Sequence, residues 1–98
     1  MATYISLISW TDQGVRTYAD TLKRAEAASA IEARMGGKLT EVYWTLGPYD
    51  IVTVSEFPDD ETATAAALAL SAGGHIRTTT MRAFGRTEMA SIVAKAQG

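Results

Sequence analysis

The order of patterned segments in this chain predicts an α+β fold of the ferredoxin-like kind, βαββαβ with a C-terminal helix. Three observations carry it. Four short stretches rich in β-branched and aromatic residues alternate with helical patterns in that order. The paired glycines Gly36-Gly37 and Gly73-Gly74 follow the two main helical patterns, where a chain needs a conformation that side chains resist. A Gly-Pro pair, Gly47-Pro48, separates the middle two strands at hairpin spacing.

Taken in chain order, Thr3 to Ser9 ("TYISLIS") has no breaker and suits a central strand. Thr11 or Asp12 caps the next helix, and Val15, Tyr18, Leu22, Ala25 and Ser29 recur at three- and four-residue steps as its inward stripe. Asp20 and Thr21 also suit a restart, so this segment is either one long helix or a short one and a longer one. Leu39 to Thr45 reads as the second strand and Ile51 to Phe57 as its hairpin partner, with Pro48 at the second position of the turn. Pro58-Asp59-Asp60-Glu61 sets carboxylates at a helix start, where free backbone N–H groups and the positive end of the dipole favour them. That alanine-rich helix runs to about Ala72, with bulk from Leu68 and Leu70. His75 to Phe84 reads as the fourth strand. Met89, Ile92, Val93 and Ala96, behind a Thr87 cap, then form a terminal helix whose spacing predicts that it docks.

Ninety-eight residues allow one core, so residues 1–98 are read as a single domain. Hydrophobic residues make up 47% of the chain, more than one small core readily hides, and a partner surface is expected. Along the first strand Ile5 and Leu7 share one face while Tyr4, Ser6, Ile8 and Trp10 share the other. Neither face is polar enough to be solvated, and a second copy of the chain is the simplest cover.

Net charge is −2 and the nine basic residues form no stripe, which argues against nucleic acid as a partner. Cysteine is absent, removing thiolate nucleophiles, disulfides and Cys-ligated metal centres. With a single histidine, a metal site needs carboxylates brought from elsewhere; no metal and no cofactor are expected. No apolar run approaches the roughly 20 residues that span a bilayer, and the opening "MATYISLISW" lacks a basic n-region, so no membrane partner and a cytoplasmic location are expected. The glycine pairs follow helices rather than precede them, unlike nucleotide loops. The serines have one possible histidine partner and no elbow motif, so a hydrolase triad is not supported.

The stretch "GGKLTEVYWTLGPYDIV" resembles the signature region of the GYD domain family, with Gly47, Tyr49 and Asp50 as the Gly-x-Tyr-Asp element. The likeness extends through "TDQGVR", "KRAEA", "PDDE" and "RTTTMRAF", and so covers most of the chain. The resemblance implies a dimeric α+β barrel, in which two ferredoxin-like sheets pack face to face as a homodimer or within a higher homo-oligomer. It leaves the activity open.

Two readings of the element itself stand side by side. In one, Gly47, Pro48 and Asp50 only fold the hairpin. In the other, Tyr49 and Asp50 project into a cavity near Trp10, where Asp50 acts as a general base if burial raises its pKa and Tyr49 donates to a ligand oxygen. Trp10, Tyr43 and Trp44 have the bulk to line an apolar pocket for a small planar ligand, although core or interface packing is the commoner use of such residues. His75 is the only side chain whose ordinary pKa suits proton transfer near neutrality. Alternation places Arg77 on the face of His75, where it holds a ligand carboxylate or pairs with the partner chain. The function expected is a small-molecule-binding or regulatory module. The alternatives are a cofactor-independent oxygenase or isomerase acting on a small carbonyl or aromatic compound, as the resemblance implies by analogy, and a structural or protein-interaction module.

Overall fold

Ala2–Trp10 forms β1, the strand that the rest of the sheet is built around in the computed structural model, which describes residues 1–98. It pairs antiparallel with Ile51–Phe57 (β3) on one side and with Ile76–Ala83 (β4) on the other. Lys38–Trp44 (β2) completes the sheet beyond β3, giving the order β2-β3-β1-β4. The helices are Asp12–Arg16 (α1), Thr21–Arg34 (α2), Asp60–Ser71 (α3) and Arg86–Ala96 (α4), with a 3-10 turn at Tyr18–Asp20 between the first two. Crossing from β1 to β3 through α2 and the β2 hairpin, and from β3 to β4 through α3, gives the ferredoxin-like arrangement.

The register sorts the side chains by face. Ser55 lies opposite Tyr4, Thr53 opposite Ser6 and Ile51 opposite Ile8, and these residues face the helices. Leu7 and Val52 lie opposite each other, as do Ile5 and Val54, with Met81 beyond Ile5, so an apolar patch occupies the outer face. The core is small: Tyr4, Phe57, Ala63 and Ala66 form its centre, with the two rings edge to face at 5.8 Å. The Tyr4 hydroxyl donates to Asp60 Oδ1 at 2.6 Å and ties β1 to the start of α3. Asp59 caps that helix through the Thr62 N–H at 2.8 Å, as its position in the acidic run predicts.

Four expectations are corrected. Val15, Tyr18 and Leu22 do not form an inward stripe; they are 49%, 66% and 65% exposed. The 3-10 turn resets the helical phase, and α2 instead turns Ala25, Ala28, Ile31 and Glu32 toward the sheet. Leu68 is exposed on α3, and Leu70 faces inward. The terminal helix starts earlier than a Thr87 cap predicts: its N-cap is Gly85, whose N–H donates to Glu88 Oε1. This helix also extends from the body instead of docking on it, leaving Met89 and Val93 exposed. Its spacing is amphipathic, but its own chain offers no surface against it.

Candidate functional site

Small alanines along α2 and α3 leave room for a cavity against the sheet. An alanine face lets a helix approach a sheet while filling little space, and α2 and α3 meet each other along little of their length. Between them and the sheet lies an elongated cavity of about 260 Å³, floored by Tyr4, Ser6, Ile8 and Trp10 of β1 and walled by Ala28, Ala66 and their neighbours. Its lining is overwhelmingly apolar, with the hydroxyl side chains of Ser6, Thr53, Thr78 and Thr80 along the sheet floor.

At one end Thr11 accepts the Gly14 N–H and donates its hydroxyl to the Gly74 carbonyl at 2.6 Å, stitching the start of α1 to the entry of β4. The fit is close. A Cβ on Gly14 would lie 2.0 Å from the His75 carbonyl oxygen, so only glycine allows this approach. This packing sets His75 on the cavity wall, with its Nε2 3.4 Å from the Gln13 carboxamide nitrogen. Trp10 lies next to it, and the indole Nε1 is buried with no hydrogen-bond partner in the chain. Arg24 also reaches this end, but its guanidinium donates to the Thr17 carbonyl and hydroxyl and to the Gly14 carbonyl.

At the other end is Glu32, 4% exposed, with Oε1 lacking any partner. Burial pushes its carboxyl up from the ordinary value, and the neighbouring Ser55 hydroxyl draws it part of the way back. The acid is thus biased toward its neutral form. Tyr4, beside Ser55 in the sheet, has its phenol pushed up to about 12, first by the hydrogen bond to Asp60 and then by burial.

The residues singled out in the sequence separate into groups. Trp10 and His75 come together on the cavity wall. Asp50 sits beside the Trp10 backbone, but its Oδ2 accepts the Trp10 N–H at 2.8 Å, its own N–H donates to the Ile8 carbonyl, and its carbonyl accepts from Thr45. Tyr49 is half-buried in the hairpin loop, its carbonyl held by the Thr45 hydroxyl at 2.6 Å. Gly47 supplies the loop with a φ of +133°, a value that side chains resist. Neither Tyr49 nor Asp50 is part of the cavity wall. Trp44 is pinned through Nε1 to the Thr21 hydroxyl at 3.0 Å, where β2 meets α2. Tyr43 and Arg77 are exposed; Tyr43 lies opposite Val52 and Arg77 opposite Ser9, on the outer face. His75 precedes β4 and turns to the helix side, so it does not share a face with Arg77. No three His, Asp or Glu side chains gather in a geometry that holds a metal ion, and no helix is long and apolar enough to cross a membrane.

Glu32 was not singled out because its neighbours in sequence, Ile31 and Ala33, give no chemical motif. The available signal was phase. A stripe counted from Thr21 runs through Ala25 and Ala28 to residue 32, placing a carboxylate on the inward side.

Comparison with known proteins adds three findings. The model of the GYD domain matches residues 4–93. The chain is 36% identical over 84 residues to the glutamine synthetase and cystathionine beta-lyase binding protein of Thermus thermophilus, a match covering 85% of this chain and 88% of that protein. The crystal structure of TTHA0845 from Thermus thermophilus superposes with a TM-score of 0.55 at 29% identity, covering 87% of this chain and 95% of the other.

Proposed function

The chain belongs to the GYD domain family, and from that premise we propose that it is a regulatory binding module: a homodimer, joined through its outer sheet faces, that engages metabolic enzymes and carries a small-molecule cavity in each protomer. The observation that carries this reading is surface. The isolated chain exposes 6542 Å², whereas a folded chain of this mass exposes roughly 5400 Å². The excess of about 1100 Å² compares with the roughly 800 Å² that each partner buries in a standard interface. Ile5, Leu7, Val52, Val54 and Met81 form an apolar patch on the outer face where a second sheet fits.

The relative's name supports enzymes as further partners, since that protein is described as binding glutamine synthetase and cystathionine β-lyase. The chain's own chemistry agrees with binding more than with turnover. Asp50, the candidate general base, has its carboxylate engaged by a backbone N–H. A second reading, a cofactor-independent oxygenase or isomerase, is favoured by one observation: His75 stands on the wall of an apolar cavity beside Trp10.

The test is co-migration. The purified chain, mixed with glutamine synthetase and cystathionine β-lyase of its own organism, is expected to move into the enzyme peak on size exclusion and to change that enzyme's activity. If both enzymes elute without it and keep their activity, these enzymes are not its partners.

A further inference from the structure

The helix-facing side of the sheet carries hydroxyls where a packed face is ordinarily apolar. Tyr4 and Ile8 are buried on that face of β1, and Ser6 lies between them. The register sets Thr53 of β3 opposite Ser6 on one side and Thr80 of β4 opposite it on the other. Ser6 Oγ is 2.9 Å from Thr80 Oγ1, and Thr80 Oγ1 is 3.0 Å from Thr78 Oγ1, so these three hydroxyls form a continuous row. All three line the cavity; Thr80 is exposed and the other two are half-buried, which keeps the row within reach of a molecule there.

The row has more to accept than to donate. Each hydroxyl brings one proton and two lone pairs. The two hydrogen bonds of the row use two protons and two lone pairs, leaving one proton and four lone pairs free. The free proton stands at one end, and the next hydroxyl along, 2.9 or 3.0 Å away, still accepts. A primary carboxamide matches that pair, with an oxygen that accepts and an NH2 group on the same carbon that donates. A ketone has no proton to give.

Charge and size narrow the occupant further. The fixed charges on the wall are Arg24, whose guanidinium donates to Thr17 and Gly14, and Glu32, which is 4% exposed. A charged head group would therefore leave water without an open counter-charge. The cavity measures about 260 Å³, against about 150 Å³ for an apolar protein cavity that accepts benzene, so it holds roughly ten non-hydrogen atoms.

We propose that the cavity binds a small uncharged primary carboxamide, its head on the row of Ser6, Thr80 and Thr78 and its compact apolar body against the alanines of α2 and α3. This rests on reading the cavity as a small-molecule site and names the chemistry that site selects. Thr80, shared by both hydrogen bonds of the row, is the residue on which recognition turns.

Titration of the whole chain with no enzyme partner present, followed by NMR of its backbone amides, tests this. The probes are benzamide and hexanamide, the matching methyl ketones acetophenone and 2-heptanone, and benzoate. At least one carboxamide binds with a Kd of about 1 mM or lower and shifts signals of β1 and β4 beside the row. Benzoate binds at least about tenfold more weakly, because its charge leaves water. Thr80→Val removes the shared hydroxyl at nearly constant volume and weakens the carboxamide about tenfold, the scale of one lost hydrogen bond. The matching ketone stays within about threefold, because Ser6 and Thr78 then each have a proton free for its oxygen. Thr79→Val, on the outer face opposite Leu7, changes neither. Circular dichroism confirms that each variant is folded. Absence of binding by both carboxamides overturns the proposal, as does a carboxamide weakened less than about threefold by Thr80→Val, a ketone weakened as much as the carboxamide, or benzoate binding as tightly. If a ketone binds and neither carboxamide does, the cavity is still a small-molecule site and the carboxamide assignment alone fails. The enzyme-partner reading is measured without ligand and is untouched by these results.

Discussion

Asp50 and Glu32 are both half-hidden from solvent or more, yet one carboxylate oxygen is partnered and the other is not. Asp50 accepts a backbone N–H and so holds the end of β1. Glu32 has a carboxyl raised by burial, which fixes the sign of its linkage: the folded state holds its proton more tightly than the unfolded chain does. Its contribution to stability is therefore complete below the ordinary value of 4.5 and is lost as pH rises through the raised folded value. Urea denaturation of Glu32→Gln across the range from about pH 4 to about pH 8 is expected to remove that decline and to leave the variant more stable than the parent near neutrality, by on the order of 1 kcal/mol. Asp59 and Glu88, both held low by hydrogen bonds, slope the other way in parent and variant alike and cancel in the difference. An unchanged pH profile would mean that Glu32 is not desolvated. Of the site, Trp10 and His75 were legible because a lone histidine and a bulky strand-end aromatic stand out in any sequence. Glu32 was not, because one carboxylate among the charges of a helix declares itself only when the phase of that helix is known.

At the level of elements, the strands were legible almost to the residue. β-branched runs bounded by glycine and proline leave few alternatives, and the hairpin ties β2 to β3, with one register shift between Leu39 and Glu41. Helical phase was harder. The sequence offers continuous three- and four-residue spacing from Val15 to Ser29, and the 3-10 turn at Tyr18–Asp20 shifts the phase of α2 relative to α1. Asp20 and Thr21 marked that break as one of two options. The tight stitch between α1 and β4 gives a sharper consequence. Gly14→Ala would drive a Cβ to 2.0 Å from the His75 carbonyl oxygen, an atom already held by the Thr11 N–H at 3.1 Å. Backbone on both sides cannot yield cheaply, so a loss of about 3 kcal/mol in chemical denaturation is expected. A change below about 0.5 kcal/mol, the range of an unconstrained surface site, would show that α1 does not seat against β4 in this way.

The molecule as a whole carries more surface than its mass warrants, and two features account for it. One is the apolar outer face of the sheet; the other is α4, which extends from the body of a molecule 52 Å in its longest dimension with Met89 and Val93 uncovered. Sequence reasoning identified the first from the alternation of β1 and misplaced the second, because amphipathic spacing states that a helix has an apolar side but not which molecule covers it. The proposed homodimer would cover the first, its sheets packing face to face, and would offer α4 a surface that its own chain lacks. Leu7 lies near the middle of the outer patch, opposite Val52 and beside Ile5, and is the position where a charge opposes that packing most directly. The decisive measurement is sedimentation equilibrium at micromolar concentration on the parent and on Leu7→Asp. The parent is expected at about 21 kDa or a multiple of it, twice the 10.5 kDa chain, and Leu7→Asp at the monomer mass with its circular dichroism intact. A parent chain that sediments as a folded 10.5 kDa monomer would contradict the account.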